Sequence, residues 1–410
     1  MDHDTKRPVA SGYSGSMPSL RLAMFHPAFR TVGGADLLAA RQARVLAADM
    51  AVEAVCFEWD EARWRELLAG VPVRVVAKRK ASDLLFGLGA LGKVRVRGAR
   101  AERELRDFTH VLAHNHPASA MLGHMDLPGA RLWYCHEPRR RLYPLEANPA
   151  MAARPEDAQG AWAFEDFQPE SADPDLQAHD REGVARLQGV IANSAFTDAN
   201  LRRIYGHGAD AVIPPMVRFP ERRLTSKGLR GPGLQLLLIS RLGDPKNTDM
   251  VIWGFARFAA HHPESRLHIV GEGPSRLRLE ALAGKLCEGR VQFHGFLREP
   301  ELDGLRAACD AYVQLPLDEP FGMVFPEAAG AGLLLVGPDH GGPAEILEGG
   351  ALGACVDAFD PEALAQALDR LAALPEAEVE ALRERADAAC RARYSEAVVG
   401  PALRAFVERY

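Results

Sequence analysis

Thirteen short, continuous apolar runs, separated by segments with helical apolar spacing, constrain this 410-residue chain more than any other feature. In the first half they are Leu20–Phe25, Val52–Phe57, Val73–Val76, His110–His114, Leu132–His136, Val190–Ser194 and Ala211–Pro214. In the second half they are Leu234–Ser240, Arg266–Gly271, Val291–Gly295, Ala311–Leu315, Leu333–Gly337 and Gly353–Asp357. Runs of this length without polar alternation are the pattern of parallel strands covered on both faces. Intervening stretches such as Asp249–Ala260 and Pro361–Leu374 repeat apolar residues at helical intervals. Strand, helix, strand in repetition means right-handed βαβ units wound into parallel sheets, an α/β fold.

The alternation breaks once. After Ile213-Pro214-Pro215 the segment Arg218–Gly233 is rich in charge, Gly and Pro and carries no strand pattern. This predicts a linker (218–233) between two Rossmann-like domains, 20–217 and 234–393. Residues 1–19 are polar, lack the apolar centre of a signal peptide and read as a disordered leader. Residues 394–410 form an amphipathic helix with no strand after it, a candidate to pack back across the domain junction.

Composition narrows the partners. A net charge of −6 carries no global basic excess for nucleic acid, and 47% hydrophobic residues rule out disorder over most of the chain. Six cysteines without a CxxC pair argue against a disulfide framework or structural zinc and fit a reducing cytoplasm. Apolar stretches such as Leu236–Ile239 and Leu333–Val336 fall far short of a membrane span.

Two segments depart from the alternation. Lys78–Arg106 holds nine basic residues against three acids, with Leu84, Leu85, Phe86, Leu88 and Leu91 among them. It reads either as a solvated helical face or as a surface for anionic lipid head groups or a phosphate-bearing acceptor. Pro144–Asp180 is acidic and rich in Pro and Ala, and reads as a mobile flap or loop over the cleft.

Open α/β sheets bind ligands beyond the carboxyl ends of their strands, so the informative residues follow each apolar run. Gly33-Gly34 precedes a helix whose N–H groups and dipole attract phosphate, or is an ordinary tight turn. GxGxxG is missing there, which counts against a dehydrogenase. His136-Glu137-Pro138-Arg139-Arg140 follows one strand, as a substrate contact or a core histidine, and His114-Asn115-His116 follows another, as a second substrate contact or part of a metal site. His114, His116, Arg139 and Arg140 are the acceptor-side candidates. No third ligand at metal spacing accompanies the histidines, so no metal is expected.

In the second half Ser240-Arg241-Leu242 and Lys246-Asn247 lie on a strand-to-helix loop, where Arg and Lys can clamp a diphosphate. Glycine-lined turns follow at Gly271-Glu272-Gly273 and Gly295-Phe296, the latter an edge that can receive a flat base. Glu319 and Glu327 flank Pro320-Phe321-Gly322-Met323-Val324. Pro326 is tolerated only in a first helical turn, so the helix is expected to begin near Phe325. Carboxylates so placed accept hydrogen bonds from sugar or ribose hydroxyls. Asp173-Pro174-Asp175 also matches a DxD metal spacing, in the Pro-rich segment rather than after a strand.

From about Leu234 to Leu374 the sequence resembles the donor-binding domain of family 4 retaining glycosyltransferases, which have the GT-B fold. The resemblance rests on Ser-Arg-Leu…Lys-Asn, Val-Gly-Glu-Gly-Pro, His-Gly-Phe, Glu-Pro-Phe-Gly-x4-Glu-Ala and Gly-Gly-Pro-Ala-Glu. The first half matches more loosely, through Gly33-Gly34, the His136 turn and Val190–Ser194. The resemblance implies that Arg241 and Lys246 hold the donor diphosphate, Glu319 the transferred sugar and Glu327 the ribose. It implies that Gly33 and Gly34 close on the phosphates, and that His136 touches the sugar near the reacting carbon. Ser240, Gly271, Gly273, Gly295, Phe296, Phe321, Gly322, Met323 and Val324 complete the implied donor site.

The implied reaction is metal-independent transfer of a hexose from a nucleotide sugar, with no cofactor. Trp133-Tyr134-Cys135-His136-x-Pro138 resembles the corresponding turn of GDP-mannose-dependent mannosyltransferases, whereas UDP-sugar enzymes share the other motifs. The expected acceptor is a glycan, lipid-linked if the basic Lys78–Arg106 stretch contacts the anionic inner membrane, and the expected location is cytoplasmic. A nucleotide-sugar 2-epimerase and a non-catalytic sugar-nucleotide sensor or assembly subunit are the competing readings.

Overall fold

The computed structural model describes residues 20–30, 33–76, 89–154, 156–157, 173–225, 231 and 233–410. The apolar runs form two parallel sheets. The first contains β1 (Arg21–Phe25), β2 (Ala51–Cys56), β3 (Val73–Val75), β4 (His110–His114), β5 (Ala130–Cys135), β6 (Gly189–Ala192) and β7 (Ala211–Val212), in the order β3-β2-β1-β4-β5-β6-β7. The second contains β8 (Gln235–Ile239), β9 (Arg266–Val270), β10 (Val291–Gly295), β11 (Ala311–Val313), β12 (Leu334–Pro338) and β13 (Ala354–Val356), in the order β10-β9-β8-β11-β12-β13. Both put their first strand in the interior and reverse direction beside it. The reversal leaves a crevice at the carboxyl ends of β1 and β4, and another at those of β8 and β11.

The reason for the sheets is visible in the core. Leu22, Ala23, Met24 and Phe25 of β1 and Leu236, Leu237 and Leu238 of β8 are all buried, because helices cover both faces. Leu236 and Leu238 join one core cluster and Leu237 another, so successive side chains feed opposite faces of the sheet.

The chain crosses between the domains twice, side by side. The Val217 N–H donates to the Tyr394 carbonyl (2.8 Å), and Val217 bridges Ser395. The helix Glu376–Tyr394 ends there, and a separate helix, Glu396–Glu408, returns to the first domain. Its Val399, Leu403, Phe406 and Val407 sink into the core beside Leu22, Leu38 and Leu132. Burying each such side chain is worth roughly 1.5–3 kcal/mol, enough to tie the last helix to the domain opposite its own sequence neighbours. Part of the linker is also anchored: Leu224 and Thr225 donate to the Ala331 carbonyl, and Arg223 pairs with Glu380.

The Pro144–Asp180 segment departs from the expected flap. Residues 155 and 158–172 lie outside the described ones, but both ends are folded. Pro149–Ala153 is a short helix whose Met151 is buried in the second domain's core. Pro174–Ala185 is a helix with Leu176 and Val184 in the core of the first domain. The Asp173 carboxylate accepts from the Asp175 and Leu176 N–H groups, so the DxD match is a helix N-cap followed by an N1 proline. Within the basic segment, residues 78–88 lie outside the described ones. The helix Ala90–Leu105 buries Val94, Gly98, Ala101 and Leu105 and leaves Lys93, Arg95, Arg97 and Arg103 exposed. No helix among the described residues is long and apolar enough to cross a membrane.

Candidate active site between the two sheets

The second domain supplies most of the charge. Past β8, a single 3-10 turn at Asp244–Lys246 precedes the helix Thr248–His261. Asn247 joins them with φ 53° and donates its side-chain amide to the Ala358 carbonyl (2.7 Å). The turn is drawn toward the loop after β11, where the Leu317 N–H donates to the Pro245 carbonyl (2.9 Å). Lys246 Nζ therefore lies 2.5 Å from Glu319 Oε2. Burial pushes the Glu319 carboxyl upward, but Lys246 and Arg140 outweigh it and hold the group below its ordinary range. Arg241 stands exposed at the rim.

Close backbone approach explains two glycines. Gly271 has φ 130°, and a Cβ there would overlap the Ser240 carbonyl; one at Gly273 would overlap that of Leu242. The strand ends of β8 and β9 thus meet main chain to main chain, leaving their loops open to a ligand. Beyond β10, Gly295 is followed by Phe296, whose ring is 78% exposed. Phe321 is buried, and Gly322 (φ 89°) turns the chain into the helix Val324–Ala331, which starts one residue before the expected Phe325.

Glu327 lies in that first helical turn, 3.6 Å from Arg306 Nη2. Arg306 is already shared with Glu299 (3.1 Å) and Asp303 (2.9 Å). Burial therefore prevails over the attraction of Arg306, and the Glu327 carboxyl is raised to about 7.

The first domain faces this set. Gly33 caps the helix Gly34–Ala47, and its N–H donates to Asp36 Oδ2 (3.2 Å). A Cβ on Gly34 would lie 2.9 Å from the Met323 methyl of the other domain, so Gly33-Gly34 does sit across from the Phe321–Val324 segment. Asp36 Oδ1 approaches His26 Nε2 (3.1 Å) and accepts from Asn115 (3.3 Å). His136 is 8% exposed, its Nε2 is 3.0 Å from His114 Nδ1, and its carbonyl accepts from Asn193 (2.7 Å). Burial lowers the His136 pKa to about 3 and His114 well below its ordinary range, so the pair is neutral.

The acceptor-side candidates separate. His114 has no exposed surface and reaches the cleft only through His136, which corrects its reading as a direct substrate contact. His116 Nδ1 is 2.8 Å from Arg139 Nη1, and its pKa falls to about 3 through burial and that cation. Arg140 extends to the other domain and donates to the Asp318 carbonyl (2.7 Å), with Asn148 (3.0 Å) and Glu137 (2.8 Å) as further partners. Sequence reasoning missed His26, Asp36 and Asn115 as a cluster, and missed Asp318 and Glu345 as interdomain contacts. His26 and Asn115 each stand one residue past the strands flanking the β1/β4 crevice, a signal available once the strand order is known.

Two crossover-linked Rossmann-like domains facing one cleft, with cations after β8 and carboxylates after β11, make up the GT-B fold. Residues 223–390 match the family model described as glycosyl transferases group 1. The lipopolysaccharide core biosynthesis glycosyltransferase LpsD of Rhizobium meliloti is 32% identical over 58% of this chain and 62% of its own. The gpi3 subunit of phosphatidylinositol N-acetylglucosaminyltransferase from Schizosaccharomyces pombe is 34% identical over 28% of this chain and 25% of its own. The chain spans from a quarter to just under a half of the first curated relatives it matches. Among solved structures, Anabaena HepE in complex with UDP and glucose superposes with a TM-score of 0.72 at 17% identity, covering 95% of this chain and 100% of that one. Sucrose-phosphate synthase from Thermosynechococcus elongatus superposes with a TM-score of 0.71 at 16% identity, covering 95% and 98%.

Proposed function

We propose that this chain is a retaining glycosyltransferase of family 4 that moves a hexose from a nucleoside-diphosphate sugar to a glycan hydroxyl. The observation that carries the reading is the Lys246–Glu319 pair at the β8/β11 crevice, with Glu327 one helical turn beyond Met323. The nucleoside diphosphate departs as the acceptor hydroxyl attacks the sugar from the same face, and the hydroxyl proton passes to the leaving phosphate oxygen. Lys246 and Arg241 stabilise the charge developing on the leaving phosphate, where cations already oriented by the fold act more strongly than water. No metal is assigned to the site, because these side chains supply the positive charge. Glu319 in its ionised form accepts from sugar hydroxyls, Glu327 from ribose hydroxyls, and neutral His136 contacts the sugar near the reacting carbon.

GDP-mannose is the first choice of donor, on the Tyr134-Cys135-His136-x-Pro138 turn. A UDP-sugar is the second, favoured by HepE, whose structure with UDP-glucose superposes with a TM-score of 0.70. The acceptor we favour is a lipid-linked oligosaccharide in cell-surface polysaccharide assembly, at the cytoplasmic face of the membrane. The exposed basic side of the helix Ala90–Leu105 supports contact with an anionic surface there.

Thermal unfolding with GDP, UDP, GDP-mannose and UDP-glucose, each with and without EDTA, tests the reading. A ligand at a hundredfold excess over its dissociation constant stabilises by roughly 2.7 kcal/mol. A GDP-selective, EDTA-insensitive shift supports the mannosyl donor, and a UDP-selective shift moves the assignment to the second donor. No shift with any nucleotide removes the transferase reading. Conversion of the donor sugar without an acceptor replaces it with the epimerase.

A further inference from the structure

The backbone on either side of Glu319 is bonded from the opposite domain. Three successive carbonyls carry it, and each has a donor. The Asp318 carbonyl accepts from Arg140 Nη2 (2.7 Å), the Glu319 carbonyl from the Gly342 N–H (2.8 Å) and the Pro320 carbonyl from Ser194 Oγ (2.6 Å). Arg140 and Ser194 belong to the first domain, and only Gly342 to the domain of Glu319 itself.

The grip is reciprocal. The fully buried Asp318 carboxylate accepts from the Ala150 and Met151 N–H groups, both at 3.0 Å, in the short first-half helix whose Met151 packs into the second domain's core. Asp318 holds φ 49°, a left-handed conformation that non-glycine residues adopt at a cost and that Asp and Asn tolerate best. Close by, the Glu345 carboxylate accepts from the Ala195 (2.9 Å) and Phe196 (2.6 Å) N–H groups at the start of the helix that Ser194 caps.

The Arg140, Ser194 and Glu345 bonds join one domain to the other, whereas Lys246, Arg241 and Glu327 all belong to the second domain. We infer that Arg140, Ser194 and Asp318 are positioning residues that make the sugar-binding placement of Glu319 depend on closure of the cleft. The inference rests on the transferase reading. It adds which residues link the Glu319 segment to the facing domain. The coupling lets the sugar moiety, rather than the nucleotide, license closure.

The test compares wild type with Asp318→Asn, which keeps the left-handed conformation but spoils the paired acceptance, and with Arg140→Met. Arg140→Lys and Ser194→Thr serve as conservative controls, since the threonine keeps both hydroxyl and helix cap. Titration of GDP against GDP-mannose, and of UDP against UDP-glucose, reads the affinity each sugar adds. Slow release of the nucleoside diphosphate into water from the sugar nucleotide reads kcat and KM.

For Asp318→Asn and Arg140→Met, nucleoside diphosphate affinity is expected to stay unchanged. The extra affinity given by the sugar, and kcat, are each expected to fall about tenfold, the scale of one lost hydrogen bond involving a charge. Arg140→Lys recovers part of that loss, and Ser194→Thr, which keeps the hydroxyl donor, loses less than either Asp318→Asn or Arg140→Met. Equal loss of affinity for nucleotide and sugar nucleotide, or unchanged kcat in both variants, overturns the coupling while leaving the transferase. Wild type that binds no nucleotide overturns the transferase reading and this inference with it.

Discussion

Replacing Glu327 with Gln is expected to stabilise the protein at alkaline pH while weakening its hold on nucleotide. Glu327 is about three-quarters buried, and its natural counter-ion Arg306 is shared with Glu299 and Asp303. Its carboxyl is raised from 4.5 to about 7, mainly by burial. A carboxyl whose folded pKa is raised contributes stability that is fully present below its unfolded pKa and is lost as pH rises through the folded value. At ~1.36 kcal/mol per unit, ionising Glu327 in the folded state costs roughly 3 kcal/mol, and partial exposure reduces this to about 1–3. Glutamine occupies nearly the same space without that cost. Glu327→Gln should therefore match wild type near pH 4 and exceed it by about 1–3 kcal/mol near pH 8, a few degrees in the melting of a domain this size. Urea unfolding at several pH values measures the difference. GDP or UDP titration in parallel should show weaker binding by the variant, and wild-type affinity that strengthens between about pH 6 and 8 as the carboxylate forms. A variant less stable than wild type near pH 8, or a stability difference independent of pH, would refute the reasoning.

Two further outcomes follow from the same geometry. Lys246→Met should lower turnover on the order of 10²-fold, the scale of losing one transition-state stabilising group, and full retained activity would remove its assigned role. Asp173→Ala should cost about 1 kcal/mol of stability through the lost helix cap, with turnover and EDTA sensitivity unchanged, because the DxD match lies at a helix start.

Much of the frame was legible before any coordinates. A parallel strand buried on both faces writes itself as a continuous apolar run, so all thirteen main sheet strands stand where the runs do. The loops after β8 and β11 were legible for a related reason: a strand-to-helix loop displays its chemistry within a few residues of its strand, as Lys246, Glu319 and Glu327 do. Pro326 marked the helix start to within a residue.

Contacts between distant residues decided the rest. His114 closes β4 and His136 follows β5 by one residue, and only packing shows that the first is sealed and the second reaches the cleft. The Asp173-Pro174-Asp175 spacing serves a metal or a helix cap equally well until the chain around it folds. Asp318 meets amides more than 160 residues away, and Glu345 meets amides about 150 residues away. No local pattern specifies such partners, because the bonds form only when two independently patterned sheets close on one another. Local apolar periodicity therefore determined the elements and their succession along the chain, while the order of strands within each sheet came from the tertiary structure. The tertiary structure alone decided which polar groups face each other across the cleft, since that depends on how the two domains dock.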